Sequence, residues 1–221
     1  MLRGFYAIVD VPPSQMPAHP SPISELLRPL VVRLLAASPC MLQLRAKTAT
    51  PAQLLEWALA VLPLCRDHGV PLCVNDRLDV ALAAKADAVH LGQDDLPLAA
   101  ALRVLQDRSH AMKVGVSTHN LSQALAAAAG GAHYIGFGPI YPTRTKRDPD
   151  PVVGVDALAG VVKAVSVPVV AIGGIALESI AEVANTGVAA AAVVSAVLKA
   201  ADPYAAASHI NFAFQRKTTS S

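Results

Sequence analysis

The chain carries little charge. Of its 221 residues only 15% are Asp, Glu, Lys or Arg, and the formal net charge is +2. So small a balance gives no bulk attraction to a polyanion, so nucleic acid is not expected as a partner and any anion site must be local. Cysteine is scarce too. Cys40, Cys65 and Cys73 are odd in number and lack metal-ligand spacing. That argues against a disulfide framework or a zinc motif and predicts buried free thiols in a reducing, cytoplasmic setting. Long apolar runs are missing: Gly, Pro or a charge breaks every alanine-rich stretch before it could cross a bilayer. The opening "MLRGFYAIVD" is too short, and too soon interrupted by Asp10, for a signal peptide or a membrane span. No repeat, heptad run or strong linker divides the chain. One domain over residues 1–221 is expected, with the "QRKTTSS" tail fraying from about 215.

What the chain does have is apolar material, 53% of its residues, enough for a large core. Eight short apolar runs recur: 5–10, 41–46, 71–76, 88–92, 113–117, 134–140, 168–174 and 190–195. They are continuous rather than alternating, as in strands covered on both faces. Helix-forming segments lie between them, for example 51–69, 77–86, 120–131 and 177–187. Thr50 before Pro51 reads as an N-cap with proline in the first turn. Gly69, Gly130 and Gly187 read as left-handed helix stops. An open doubly wound sheet would use fewer of these strands. Polar residues collect at the carboxyl ends of the runs, which favours an α/β fold of the eightfold (β/α) TIM-barrel type, where those ends share one active face. The Pro- and Ser-rich stretch 11–23 reads as an irregular loop on that face, a partial lid.

Four constellations stand out. In "QLRAK", Gln43, Arg45 and Lys47 alternate, so a strand puts them on one face. They form either an anion clamp, with a guanidinium fork and a point charge, or a solvated strand end with a salt bridge. In "VND" and "GQDD", Asn75, Asp76, Asp94 and Asp95 end two neighbouring strands. The carboxylates either share a magnesium ion, which takes one or two of them together with phosphate oxygens and water, or cap the helices that follow. In "TRTK", Thr143, Thr145 and Lys146 are suitable phosphate donors, while Arg144 and Arg147 face water. "AIGGI" and "AAVVSAV" place Gly173, Gly174, Val194 and Ser195 where barrels often hold a phosphate on backbone N–H groups, although a tight turn would also use two glycines. His90 reads as a satisfied interior histidine and His119 as a residue near the active face. No serine or cysteine has an evident histidine relay, so a covalent enzyme intermediate has little support.

With these stretches assembled, the chain resembles the thiamine phosphate synthase family. The matching motifs are "QLRAK", "VND", "HLGQDD", "VGVSTH", "GFGPIYPTRTK", "AIGGI" and "VVSAVLKAADP", in family order from the second strand to the eighth. The resemblance implies a transferase that joins hydroxymethylpyrimidine diphosphate to thiazole phosphate, releasing pyrophosphate. It implies that Gln43, Arg45, Lys47, Asn75, Ser117 and Lys146 meet the pyrimidine diphosphate, with Arg45, Lys47, Ser117 and Lys146 taking part in catalysis. Asp76 and Asp95 would bind Mg2+. Thr143, Thr145, Gly174, Val194 and Ser195 would hold the thiazole phosphate. Ala46 departs from the family, where an acidic residue is frequent, and the stretch 11–23 has no clear counterpart. Two other readings stay open: a thiazole tautomerase-like paralogue and a catalytically silent phosphate-binding regulator. The partners implied are small molecules rather than nucleic acid or membrane, and a homo-oligomer is compatible with this.

Overall fold

Each of the eight apolar runs is a strand, and the strands pair in parallel, in chain order, into a closed barrel. The computed structural model describes residues 2–11, 23–106, 111–143, 150–193, 195–198 and 200–215, without the side chains of 23–26 and 195. The order is β1 (Gly4–Asp10), α1 (Ile23–Ala36), β2 (Met41–Arg45), α2 (Pro51–Asp67), β3 (Leu72–Asn75) and α3 (Leu78–Ala84). Then come β4 (Ala88–Leu91), α4 (Leu98–Gln106), β5 (Lys113–Thr118), α5 (Leu121–Ala129), β6 (Tyr134–Phe137) and α6 (Gly154–Ala164). The chain continues through β7 (Val169–Ile172), α7 (Ile180–Asn185), β8 (Ala190–Val193), α8 (Ser195–Leu198) and α9 (Pro203–Gln215). The expected lid at 11–23 and the tail beyond 215 fall almost wholly outside the described residues.

The continuous apolar character of the runs follows from two separate cores. Outward residues such as Phe5, Leu42, Leu72, Val89, Ile135 and Ala191 pack under the helices. The residues that alternate with them, Tyr6, Ile8, Met41, Cys73, Ala88, Tyr134, Val170 and Ala190, fill the barrel itself. Both faces of every strand are therefore covered, which removes the usual polar alternation. The interior holds two tyrosine rings because other strands give way: a Cβ on Gly115 would collide with the Tyr134 ring.

The local signals work as physics requires, with one exception. The Thr50 hydroxyl accepts from the Gln53 backbone N–H at 3.3 Å, and the Gln53 side chain accepts from the Thr50 N–H at 2.9 Å, a reciprocal cap for α2. Gly69 and Gly187 take left-handed φ values of 65° and 92°. Gly130 does not: its φ is −74°, and Gly131 at 90° makes the turn instead. The α5 helix runs on to Ala129, so its last carbonyls reach one residue further before the chain reverses. On the amino-terminal side of the barrel, Asn211 of α9 accepts from the Phe5 N–H at 2.8 Å and donates to the Ala37 carbonyl at 2.7 Å, tying the last helix to the first strand.

All three cysteines are free; Cys65 and Cys73 are buried and Cys40 is half-buried. Burial pushes the Cys65 thiol up to about 12 and those of Cys40 and Cys73 to about 11. Among the described residues no helix is long and apolar enough to cross a membrane.

Candidate active site

The carboxyl ends of the strands surround a cavity of about 470 Å³. Strand alternation decides its lining. The inward phase that carries Tyr6 and Ile8 reaches Asp10, and the phase that carries Met41 reaches Gln43 and Arg45. Asn75, His90, Ser117, Gly136, Gly138, Ile172 and Ala192 complete the ring from the other strands.

The β1–β5 half of this wall is built from charge. Arg45 meets Asp10 at 2.5 Å, and Lys47 meets Asp76 at 2.7 Å. Both cations are thus held by carboxylates of neighbouring strand ends, the ion-paired arrangement that the sequence left as one of two alternatives. Asp76 sits at φ 64°, a strained value for a residue with a Cβ, although a short polar side chain tolerates it better than most. Its N–H donates to the His90 carbonyl at 2.7 Å, which holds the backbone there. Asp95 turns back to accept from the Gly92 N–H at 2.7 Å. Burial raises its carboxyl above the usual range, helped by Asp76 beside it and opposed by the Gly92 N–H and by Lys47.

The helix-capping alternative does not hold for Asp76 or Asp95. Residue Arg77, not Asp76, occupies the N-cap position of α3, with no side-chain cap bond, and Asp95 binds back to Gly92 rather than forward to α4. Asp76 and Asp95 therefore stand side by side with one oxygen each already engaged. Among the described residues no group of three or more His, Cys, Asp or Glu could hold a metal. The protein offers two carboxylates instead of a closed cage. That donor set suits a hard cation that keeps water and substrate oxygens in its remaining positions.

The β6–β8 half has a different chemistry. Gly138, Pro139, Thr143, Gly173, Gly174, Ile175, Ala192 and Val193 line it, with Asp150 as its one charged residue among those described. Gly173 and Gly174 take φ values of 94° and 66°. A Cβ at Gly174 would lie 2.5 Å from the carbonyl oxygens of Tyr141 and Pro142. The Tyr141 N–H donates to the Gly173 carbonyl at 3.0 Å and the Ile140 N–H to the Ile172 carbonyl at 3.0 Å. The segment after β6 is thereby sealed onto the turn after β7. His119 Nδ1 donates to the Gly138 carbonyl at 2.6 Å, and its Nε2 faces Asp150 at 3.4 Å.

Of the residues singled out from sequence, Gln43, Arg45, Lys47, Asn75, Asp76, Asp95, Ser117, Thr143 and Gly174 all line this one cavity. Thr145, Lys146 and Val194 lie outside the described residues, as do Arg144 and Arg147, and Ser195 begins α8 with its side chain not described. Asp10 was read only as polar at a strand end, yet it pairs with Arg45. Tyr6 and Tyr134 were missed, although Tyr6 is in phase with Asp10 and Tyr134 with Gly136 and Gly138. Asp150, whose carboxylate faces His119, carried no local signal.

Fold and site together define an eightfold β/α barrel with a charge-lined binding cavity at the carboxyl ends of its strands. The family pattern described as thiamine monophosphate synthase matches residues 17–197. The chain belongs to that family. It is 46% identical over 180 residues to a thiamine-phosphate synthase of Chloroflexus aurantiacus, covering 81% of this chain and 82% of that protein. It is 43% identical over 210 residues to one of Methanocella arvoryzae, covering 95% and 94%. Among solved structures, thiamine phosphate pyrophosphorylase from Pyrococcus furiosus matches with a TM-score of 0.81 at 32% identity, over 97% of this chain and 96% of that one. A 3-hexulose-6-phosphate synthase, at TM-score 0.66 and 20% identity over 95% and 99%, shares the fold alone.

Proposed function

We propose that the protein is a thiamine phosphate synthase, which condenses hydroxymethylpyrimidine diphosphate with thiazole phosphate to give thiamine monophosphate and pyrophosphate. One observation carries the reading: Arg45, Lys47, Asp76 and Asp95 converge on one wall of the cavity, and the Gly173–Gly174 turn lies on the other. A diphosphate needs charge and a cation, whereas a monophosphate can be held by backbone N–H groups at a glycine turn. A tautomerase would have no need of the first wall.

The diphosphate lies against Arg45, Lys47, Asn75 and Ser117, with Lys146 as a further contact. Thr143, Thr145, Gly174, Val194 and Ser195 hold the thiazole phosphate. Asp76 and Asp95 would hold Mg2+, whose charge would neutralise diphosphate oxygens. Arg45 and Lys47 are released from Asp10 and Asp76 in proportion as the substrate's oxygens replace those carboxylates. Ser117 Oγ does meet a histidine, His90, at 2.9 Å, but the other ring nitrogen meets the Tyr134 hydroxyl rather than a carboxylate. With no histidine–acid relay among the described residues, the C–O bond breaks first and its electron pair leaves with the diphosphate. The pyrimidine-methyl cation is stabilised by the ring amino group, and the thiazole nitrogen lone pair captures it.

Pyrophosphate release, assayed with both substrates and magnesium, tests the activity; release requiring both substrates is expected. Thiazole isomerisation without pyrophosphate release would point to the tautomerase-like paralogue, and binding without turnover to a regulator. Electron-withdrawing pyrimidine substituents, followed in single turnovers, test the order of bond changes. A steep fall in rate is expected, and a flat or rising series contradicts a cation.

A further inference from the structure

Five polar side chains run in single file through the barrel. Gln43 Nε2 donates to the Tyr6 hydroxyl at 2.9 Å. The Tyr6 and Tyr134 hydroxyls are 3.0 Å apart, and the Tyr134 hydroxyl is 3.1 Å from His90 Nδ1. His90 Nε2 is 2.9 Å from Ser117 Oγ. Gln43, Tyr6 and Tyr134 are buried, and Ser117, the last member, opens onto the cavity. Among the described residues no buried side-chain nitrogen or oxygen lacks a partner.

Counting hydrogens gives this file a direction. An amide nitrogen only donates, so the Tyr6 oxygen accepts from Gln43. Tyr6 has one hydrogen, and its neighbours are the Tyr134 oxygen and the sulfur of Cys73, a weak acceptor. The hydrogen therefore goes to Tyr134. Tyr134 passes its own to His90 Nδ1, since its other neighbours are the sulfurs of Cys73 at 3.7 Å and Met41 at 3.9 Å, both weak acceptors. An imidazole whose Nδ1 accepts is the neutral form and carries a single ring proton. With Nδ1 accepting, that proton sits on Nε2 and is donated to Ser117 Oγ. The Ser117 hydrogen is then left for the cavity. In the reverse order the Tyr6 hydrogen would face sulfur, the Ser117 hydrogen would turn into His90, and an incoming anion would meet only lone pairs.

We propose that Gln43, Tyr6, Tyr134 and His90 are positioning residues whose one-way hydrogen-bond chain presents the Ser117 hydroxyl to the cavity as a donor for an anionic substrate oxygen. The inference rests on the functional reading above, in which Ser117 meets the diphosphate. Gln43 Nε2 also reaches the Cys73 sulfur at 4.0 Å. Gly115 and Gly136 belong to the same device, because a Cβ at the first would displace the Tyr134 ring and one at the second would lie 3.2 Å from the His90 ring.

The test is a double-mutant cycle on steady-state pyrophosphate release. Tyr134→Phe keeps the ring that fills the barrel and removes the central hydroxyl. Its kcat should fall about tenfold, with KM for the pyrimidine diphosphate changed less than about threefold, the pattern of a contact that strengthens in the transition state. In a Ser117→Ala background the same substitution should have no further effect on kcat, because no hydroxyl remains to be directed. A purely structural role would lower kcat by the same factor in both backgrounds. If Tyr134→Phe does not fold, Tyr6→Phe enters the same cycle. An undiminished kcat, or equal falls in both backgrounds, overturns the chain's role while the unaltered enzyme still turns over. Absence of turnover in the unaltered protein overturns the functional reading, and this inference with it.

Discussion

The two walls of the cavity are built by different means. The β1–β5 wall uses side chains: Arg45 on Asp10, Lys47 on Asp76, and Asp95 beside them. The β6–β8 wall uses backbone shape: Gly173 and Gly174 at left-handed φ, pressed against Pro139, Tyr141 and Pro142. Side-chain charges can exchange partners when a substrate enters, so the first wall suits a group that must leave. A turn that admits no Cβ is rigid and specific, so the second suits a phosphate that stays on the product. The difference also predicts which wall is sensitive to what: the first to charge and cation, the second to volume.

The largest effects should come from the charged wall. Asp76→Ala or Asp95→Ala should lower turnover at limiting magnesium at least about a hundredfold, since even groups that merely orient metal ligands are worth roughly 10–100-fold. Thermal melting should show the variants folded. Wild-type turnover in both would remove the metal assignment. Lys146→Ala should follow, with a loss of roughly 3–4 kcal/mol of transition-state stabilisation, and Arg144→Ala should lose far less because it alternates with the substrate-facing threonines. Comparable rates for these two variants would contradict that reading of the loop, which lies outside the described residues.

A smaller and more selective effect should follow Gly174→Ala. The left-handed backbone and the clash with two carbonyl oxygens cost about 1–3 kcal/mol, enough to open the turn. KM for thiazole phosphate should rise about tenfold or more, with KM for the pyrimidine diphosphate nearly unchanged. A parallel rise in both would show that the walls are not independent. The smallest effect concerns stability. Burial lowers His90 from 6.5 to about 4. Below pH 6.5 the unfolded chain takes up a proton that the native one refuses, so stability is full above that pH and is lost as pH falls toward 4. Urea midpoints measured from pH 7 to 4 should show the decline, and His90→Gln should flatten it. An unchanged slope in that variant would assign the decline to other groups.

The positions of the strands were legible because burial on both faces leaves a local signature, an unbroken apolar run ended by polar residues. For the same reason Gln43, Arg45, Asn75, Asp76, Asp95, Ser117 and Gly174 could be picked out as strand-end residues before any contact was known. The capping role considered for the aspartates shows the limit. Locally Asp76 before α3 and Asp95 before α4 look like N-caps, and only the neighbouring strand explains why they are not: Lys47 takes one, and Gly92 the other. Gly130 shows a similar limit at a helix end, where one further residue of helix moved the left-handed turn to Gly131.

By itself the sequence determined the eight strands and which chemistry stands at their carboxyl ends, because each depends on spacing within about ten residues. Tertiary structure alone decided the partners. Tyr6 and Tyr134 are 128 residues apart and share a hydrogen bond, and His90 reaches Tyr134 across 44 and Ser117 across 27. Closing a parallel sheet into a barrel turns every inward side chain toward one axis. There, distance depends on height in the barrel and the size of the opposing residue, not on separation along the chain. The glycine at 115 that makes room for Tyr134 carries no trace of that purpose in its own neighbourhood.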